Sequence, residues 1–211
     1  ENGAGKSTLV KLLLRFYDVT QGEILINGNR ISEYNIKELR KRIGVAFQKP
    51  LVYAMTLEEN ISLYGDVPIS DIDAICEKLG LLSIFQKSGA DRGTELTKEF
   101  DSEGIMLSGG EIQKIALARI MSGKFGLLIL DEPSSALDPI SEYKMNELIL
   151  GEANKTTTVM IAHRLSTVRD ADKIVLVENG TIQEYGTHDE LIELKGRYYE
   201  MFTKQAENYL E

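Results

Sequence analysis

The stretch from Leu107 to Asp138 constrains this chain more than any other. It sets a helix start able to hold an anion directly ahead of a buried strand that ends in two carboxylates. It reads Leu107-Ser108-Gly109-Gly110-Glu111, a helix through about Met121, then Leu127-Leu128-Ile129-Leu130-Asp131-Glu132-Pro133 and Ser134-Ser135-Ala136-Leu137-Asp138. Ser108 and Glu111 have the spacing of a capping box, in which the hydroxyl takes one orphan amide of the helix start and the acid reaches back to another. Gly109 and Gly110 have no Cβ, so a ligand can come close to the backbone, and the remaining N–H groups and the helix dipole favour an anion. The apolar run Leu127 to Leu130 predicts a parallel strand buried on both faces. Its acids then emerge at the carboxyl end of a sheet, where open α/β folds bind ligands.

A capping box starts many helices that bind nothing, and two acids after a strand can simply open a turn. What turns these parts into a nucleotide site is Gly3-Ala4-Gly5-Lys6-Ser7-Thr8 at the start of the chain. It fits the end of the P-loop pattern G-x-x-x-x-G-K-[ST], with Asn2, Gly3 and Ala4 at variable positions and the opening glycine expected just before Glu1. The amides of such a loop cradle phosphate oxygens, the lysine reaches the outer phosphates, and the hydroxyl of Ser7 would ligate Mg²⁺. Leu9, Val10, Leu12, Leu13 and Leu14 make the following helix apolar almost all round, as expected of one packed on a sheet. No strand precedes the loop, so the chain reads as part of something longer.

A length of 211 residues allows one sizeable core or one domain with an inserted lobe. The net charge of −9 argues against a broad basic face for nucleic acid. No apolar stretch has the length of a membrane span, so a role at a membrane would come through a partner. Cys76 is the only cysteine, which rules out an internal disulfide. In order, a hairpin is expected around Asn27-Gly28, a helix over Ile36–Arg42, and a strand over Ile43–Phe47 that ends in Gln48. Helices near Leu57–Tyr64 and Ser70–Leu79 follow, then an exposed polar loop over Gly89–Gly104. Asp138-Pro139 opens a helix through about Leu150, Thr157–Ala162 is read as another buried strand, and His163 stands at its end. Ile174–Val177 and Thr181–Tyr185 form a strand pair around Asn179-Gly180. His188, inside a second capping box from Thr187 to Glu190, is read as surface, and the tail from Gly196 as an amphipathic helix packing through Tyr198, Tyr199 and Phe202.

These residues together resemble the nucleotide-binding domain of an ATP-binding cassette (ABC) transporter almost end to end. Gly3 to Thr8 resembles the Walker A loop, Gln48 the Q-loop, Leu107 to Glu111 the signature motif and Leu127 to Asp131 the Walker B strand. Glu132 matches the family's catalytic glutamate, Ser134 to Asp138 its D-loop and His163 its switch histidine. Ile161 to Ser166, the strand pair at Asn179-Gly180 and Gly186 to Leu191 look most like the exporter branch. The departures are the absent upstream strands with their adenine-stacking aromatic residue, Glu111 where glutamine is commoner, and Asp101 in a loop that only loosely resembles the exporters' cross-talk loop.

The resemblance implies an α/β P-loop NTPase (RecA-like) core of ABC ATPase type lacking its N-terminal strands. Its core lobe would span residues 1–49 and 124–211, and its inserted helical subdomain about 50–123. It implies ATP and Mg²⁺ as cofactors, sandwiched between two such domains. Asn2 to Thr8 of one would face Ser108, Gly109, Gly110 and Glu111 of the other, with Ser7, Gln48 and Asp131 on the metal and Glu132, His163 and Gln48 in catalysis. The partners implied are a second nucleotide-binding domain, identical or not, and transmembrane domains docked near Val52, Tyr53, Met55 and Leu57 at the cytoplasmic face of the membrane; no nucleic acid is expected. A soluble ABC protein of DNA repair or translation shares the motifs, but the single motif set, the exporter-like tail and the acidic charge weigh against it. Without the adenine-stacking residue, nucleotide binding by this length of chain is expected to be weak.

Overall fold

Chain order in the computed structural model, which describes residues 5–89, 91–134, 137, 139–153 and 156–207, begins with α1 (Lys6–Leu13), β1 (Leu25–Ile26) and β2 (Asn29–Arg30). Next come α2 (Ile36–Lys41), β3 (Ile43–Ala46), α3 (Leu57–Ile61), α4 (Ile69–Leu79), α5 (Ser83–Ser88) and α6 (Gly109–Ser122). The chain continues with β4 (Leu127–Asp131), α7 (Pro139–Ala153), β5 (Thr157–Ile161), β6 (Ile174–Glu178), β7 (Thr181–Gly186), α8 (His188–Leu194) and α9 (Arg197–Glu207). Two compact units emerge, Lys37–Val159 and the pairing of Glu1–Ile36 with Met160–Glu211.

One sheet runs in the order β3-β4-β5, with β3 and β4, both in the unit Lys37–Val159, parallel and Ala46 opposite Leu130. Leu128, Ile129 and Leu130 are buried, as a doubly covered parallel strand requires. β5 departs from the expectation, since only Ile161 along it is fully buried. Helix α6 meets α3, α4 and β3, and its last two turns are buried on every side from Ile115 to Ile120. Fully burying each such Leu or Ile contributes about 1.5–3 kcal/mol.

Arg119 sits in that buried run and answers a need of the neighbouring chain. Segment 51–55 is irregular, and its carbonyls have no ladder to join. Asn60, with no exposed surface, donates to the carbonyls of Tyr53, Met55 and Thr56 and accepts from the Tyr53 amide. Arg119 completes the network by donating to Asn60 Oδ1 and to the carbonyls of Asn60 and Leu51, while its guanidinium lies over the Tyr53 ring. Truncating either side chain would strand buried acceptors, at a cost of about 1–3 kcal/mol each.

The loop expected to be simply exposed over Gly89–Gly104 is tied down at one point. Leu96 is fully buried, bridges Ile105 in parallel and donates its amide to the Met55 carbonyl. The closure needs Gly104, where a Cβ would fall 1.8 Å from the Thr97 carbonyl oxygen. Thr97 itself has φ 83, costly for a β-branched residue. A short helix, α5, also forms where none was expected, ending at Gly89 in the left-handed region.

In the other unit both two-residue turns form as read, with positive φ at Asn27 and Gly28 and at Asn179 and Gly180. Along α1 the burial falls on Val10 and Leu14, spaced i, i+4 on one face, whereas Leu9 is 45% exposed; the helix is one-sided rather than apolar-covered all round. Leu165, Ile174, Leu191 and Tyr198 form a buried cluster, to which Met201 and Phe202 of α9 add. His188 is half-buried rather than simply a surface residue. Its Nδ1 lies 2.9 Å from the Tyr198 hydroxyl and its ring packs against Phe202, because the Thr187–Glu190 capping box turns the first residue of α8 toward α9. Burial pushes the Tyr198 phenol up, so it serves as a neutral hydrogen-bonding partner.

Candidate functional site

Parallel pairing puts the carboxyl ends of β3 and β4 level, so Gln48 and Glu132 each leave the sheet two residues beyond a matched pair. Their side chains meet there: Gln48 Nε2 donates to Glu132 Oε2 at 2.7 Å. Glu132 has φ 51, a left-handed backbone that costs an L residue with a Cβ about 1–2 kcal/mol and bends the chain sharply out of the strand. Asp131, the last residue of β4, is half-buried beside it. Ser134 is buried and donates to Glu142 Oε1 of α7, and its carbonyl accepts from the Leu137 amide. Ser135, Ala136 and Asp138 lie outside the described residues.

The start of α6 is the capping box that Ser108 and Glu111 predict. Ser108 Oγ accepts from the Glu111 amide at 3.3 Å, and Glu111 Oε2 takes both the Ser108 amide and its hydroxyl at 2.8 Å. The Ser108 amide is therefore committed within the helix, and the amides of Gly109 and Gly110 are the ones that draw no hydrogen bond among the described residues. Ser108 and Gly109 are exposed, so the helix start is open to a ligand.

At α1 the N-cap is Gly5, at φ 99 and ψ 0, and no side chain caps the helix. The Gly5 carbonyl accepts from Leu9, but the amides of Lys6, Ser7 and Thr8 meet no acceptor among the described residues. Lys6 is half-buried, and Ser7 and Thr8 are exposed. Asn2, Gly3 and Ala4 lie outside the described residues. In the unit Lys37–Val159, Gln48 and Asp131 offer amide and carboxylate oxygens, and in the other unit Ser7 offers a hydroxyl; all are hard donors of the kind Mg²⁺ takes beside phosphate. Because the Gln48 nitrogen is committed to Glu132, its amide oxygen is the atom left for a cation.

His163 follows β5 and is exposed. Gln205 of α9, which the sequence reading passed over, donates through Nε2 to the His163 carbonyl at 2.8 Å and accepts the Leu165 amide through Oε1 at 2.9 Å. Its one signal in the sequence is its spacing of seven from Tyr198 and three from Phe202 along the amphipathic tail. The structure thus brings Gln48 to Glu132 and Ser108 to Glu111. Gln48, Asp131, Glu132 and the start of α6 belong to one unit, and Lys6, Ser7, Thr8 and His163 to the other.

Of the apolar residues expected to meet a membrane partner, Tyr53 and Met55 are 44% and 39% exposed and Val52 is half-buried, but Leu57 is 1% exposed and belongs to the core as the first residue of α3; Leu51, not among those expected, is 68% exposed. Phe100 and Met106, on either side of the Gly104 closure, are 81% and 71% exposed and extend the accessible apolar surface of the same unit. No described helix is long and apolar enough to cross a membrane.

A family model described as ABC transporter matches residues 1–135. The putative multidrug export ATP-binding/permease protein YgaD of Bacillus subtilis (strain 168) is 41% identical over 215 residues, covering 98% of this chain and 35% of that protein. Leptomycin B resistance protein pmd1 of Schizosaccharomyces pombe is 39% identical, over 98% of this chain and 15% of its own length. The solved structure of a bacterial Atm1-family ABC exporter with ATP bound aligns with a TM-score of 0.88 at 34% identity, over 98% of this chain and 36% of that one. The chain thus spans little more than a third, at most, of these relatives.

Proposed function

The chain belongs to the ABC transporter family, and from that premise we propose that it is the ATP-binding and ATP-hydrolysing domain that powers export by a larger membrane protein. The observation that carries the reading is a single chain with two helix starts, α1 and α6, at each of which amides meet no acceptor among the described residues. In a pair of such domains the α1 start of one copy faces the α6 start of the other, and one triphosphate lies between them. Lys6 and the amides at the head of α1 neutralise the phosphates, and the amides of Gly109 and Gly110 reach them from across the pair.

Glu132 is the group that polarises the attacking water. Gln48 holds its carboxylate at the end of β4, and the bend at Glu132 sets it clear of the strand. His163 contacts the γ-phosphate as charge develops there, and positioning and electrostatics supply most of the acceleration. A Mg²⁺ ion held by Ser7, Asp131 and the Gln48 amide oxygen would supply charge neutralisation on the phosphates. Leu51, Tyr53 and Met55, with Phe100 and Met106, form the surface offered to transmembrane domains at the cytoplasmic face of the membrane, and residues of about 50–123 act as the lobe that carries it. A soluble role in DNA repair or translation has no observation in its favour.

The decisive experiment is Glu132→Gln in the assembled protein. Turnover of ATP falls by about a thousandfold, as loss of a general base does, while ATP-dependent association of the two domains persists. Turnover at the natural rate in that variant would remove Glu132 from the chemistry.

A further inference from the structure

The segment that carries His163 has no ladder of its own. It leaves β5 at Ile161 and turns at once into a short 3₁₀ helix, Leu165–Val168, and the His163 carbonyl and the Leu165 amide, which lie outside β5, both bond to a side chain from α9. Both are taken by the two ends of one side chain, the amide of Gln205, at 2.8 and 2.9 Å. Gln205 is itself held. Tyr198, seven residues earlier on the same face of α9, has no exposed surface and packs in the cluster with Leu165, and Met201 and Phe202 lie against that cluster. The first turn of α9 is fixed as well, since Glu184 of β7 accepts the amides of Arg197 and Tyr198.

We propose that Gln205 is a positioning residue for His163: its carboxamide clamps the backbone on both sides of Arg164, and so makes the placement of the imidazole depend on the docking of α9. The inference rests on the role given to His163 above. A primary amide suits the task because one group supplies a donor and an acceptor in a plane, matched to a carbonyl and an N–H two residues apart. Glutamate at this position would keep the acceptor for Leu165 and set a negative oxygen against the His163 carbonyl. Any contact that lifts the C-terminal helix would release the histidine without touching the nucleotide.

The test is a double-mutant cycle on ATP turnover in the assembled protein, with His163→Ala, Gln205→Ala and the pair. Gln205→Ala alone lowers kcat about tenfold with KM for ATP unchanged, and in the His163→Ala background the same change costs less than about twofold, because its effect passes through the missing ring. Gln205→Met, which keeps the apolar stem against α9 and removes only the amide, gives the same pattern with the thermal midpoint held, and Gln205→Glu retains less activity than its volume alone would allow. Equal losses from Gln205→Ala in both backgrounds, or no loss where His163 is present, would overturn the clamp. Natural turnover in His163→Ala alone would instead overturn the role of the histidine, so the two failures read differently.

Discussion

The starts of α1 and α6 both present amides that meet no acceptor among the described residues, yet they are built in opposite ways. Helix α6 brings its own cap: Ser108 and Glu111 exchange hydrogen bonds and leave two glycine amides over. Helix α1 has a glycine in the left-handed region at its N-cap and no side-chain cap. A glycine N-cap without a side-chain bond forgoes only a few tenths of a kcal/mol against Ser or Thr, an amount a bound anion can readily return. Among the described residues the first turn of α1 keeps the amides of Lys6, Ser7 and Thr8 without an acceptor, whereas that of α6 is finished by its own side chains. Under the function proposed above, the first start would take a phosphate within its own molecule and the second would be offered, already formed, to a neighbour.

Substitutions at the two starts should separate accordingly. Lys6→Ala should weaken ATP binding by about a hundredfold in a fluorescent-nucleotide titration, since a charge-assisted contact to phosphate is lost. Equal weakening by Ser108→Ala in that titration would erase the distinction. Ser108→Ala should instead leave binding nearly intact, lower turnover about tenfold in the assembled protein, and cost about 1 kcal/mol in denaturant unfolding for loss of the cap. Smallest of all, Glu111→Gln should stay within about 0.5 kcal/mol in the same unfolding experiment, because a glutamine oxygen can still accept the Ser108 amide. A large loss there would mean that the negative charge of Glu111, rather than its reach, shapes the start of α6.

Features with a local cause were readable in the sequence. The capping boxes at Ser108 and Thr187 each need only two residues three apart, and the turns at Asn27 and Asn179 need one dipeptide. Leu127 to Leu130 declared a buried strand through its unbroken apolar run. The meeting of Gln48 with Glu132 was half legible, since strand ends were expected at both but the register that levels them belongs to the sheet. What escaped depends on contacts between distant residues. Leu96 is hidden in a polar, acidic loop and is buried only because Gly104 lets the chain close on Thr97. His188 looked like a surface residue because its neighbours in sequence are charged, while its partners Tyr198 and Phe202 arrive from the next helix. Arg119 did leave a trace, a lone charge inside the apolar run Ile115 to Ile120, but its partner Asn60 lies 59 residues away.

The backbone at Glu132 has a further implication for lineages and libraries of this protein. Glycine, and to a lesser degree asparagine, accepts a positive φ with a smaller penalty than glutamate does. A population sorted only for survival on heating, with turnover left unscored, should drift to one of those two residues at position 132. On the role proposed for Glu132, its hardiest members would then be the silent ones, and the letter found at that single place would separate descendants kept for work from those kept for endurance.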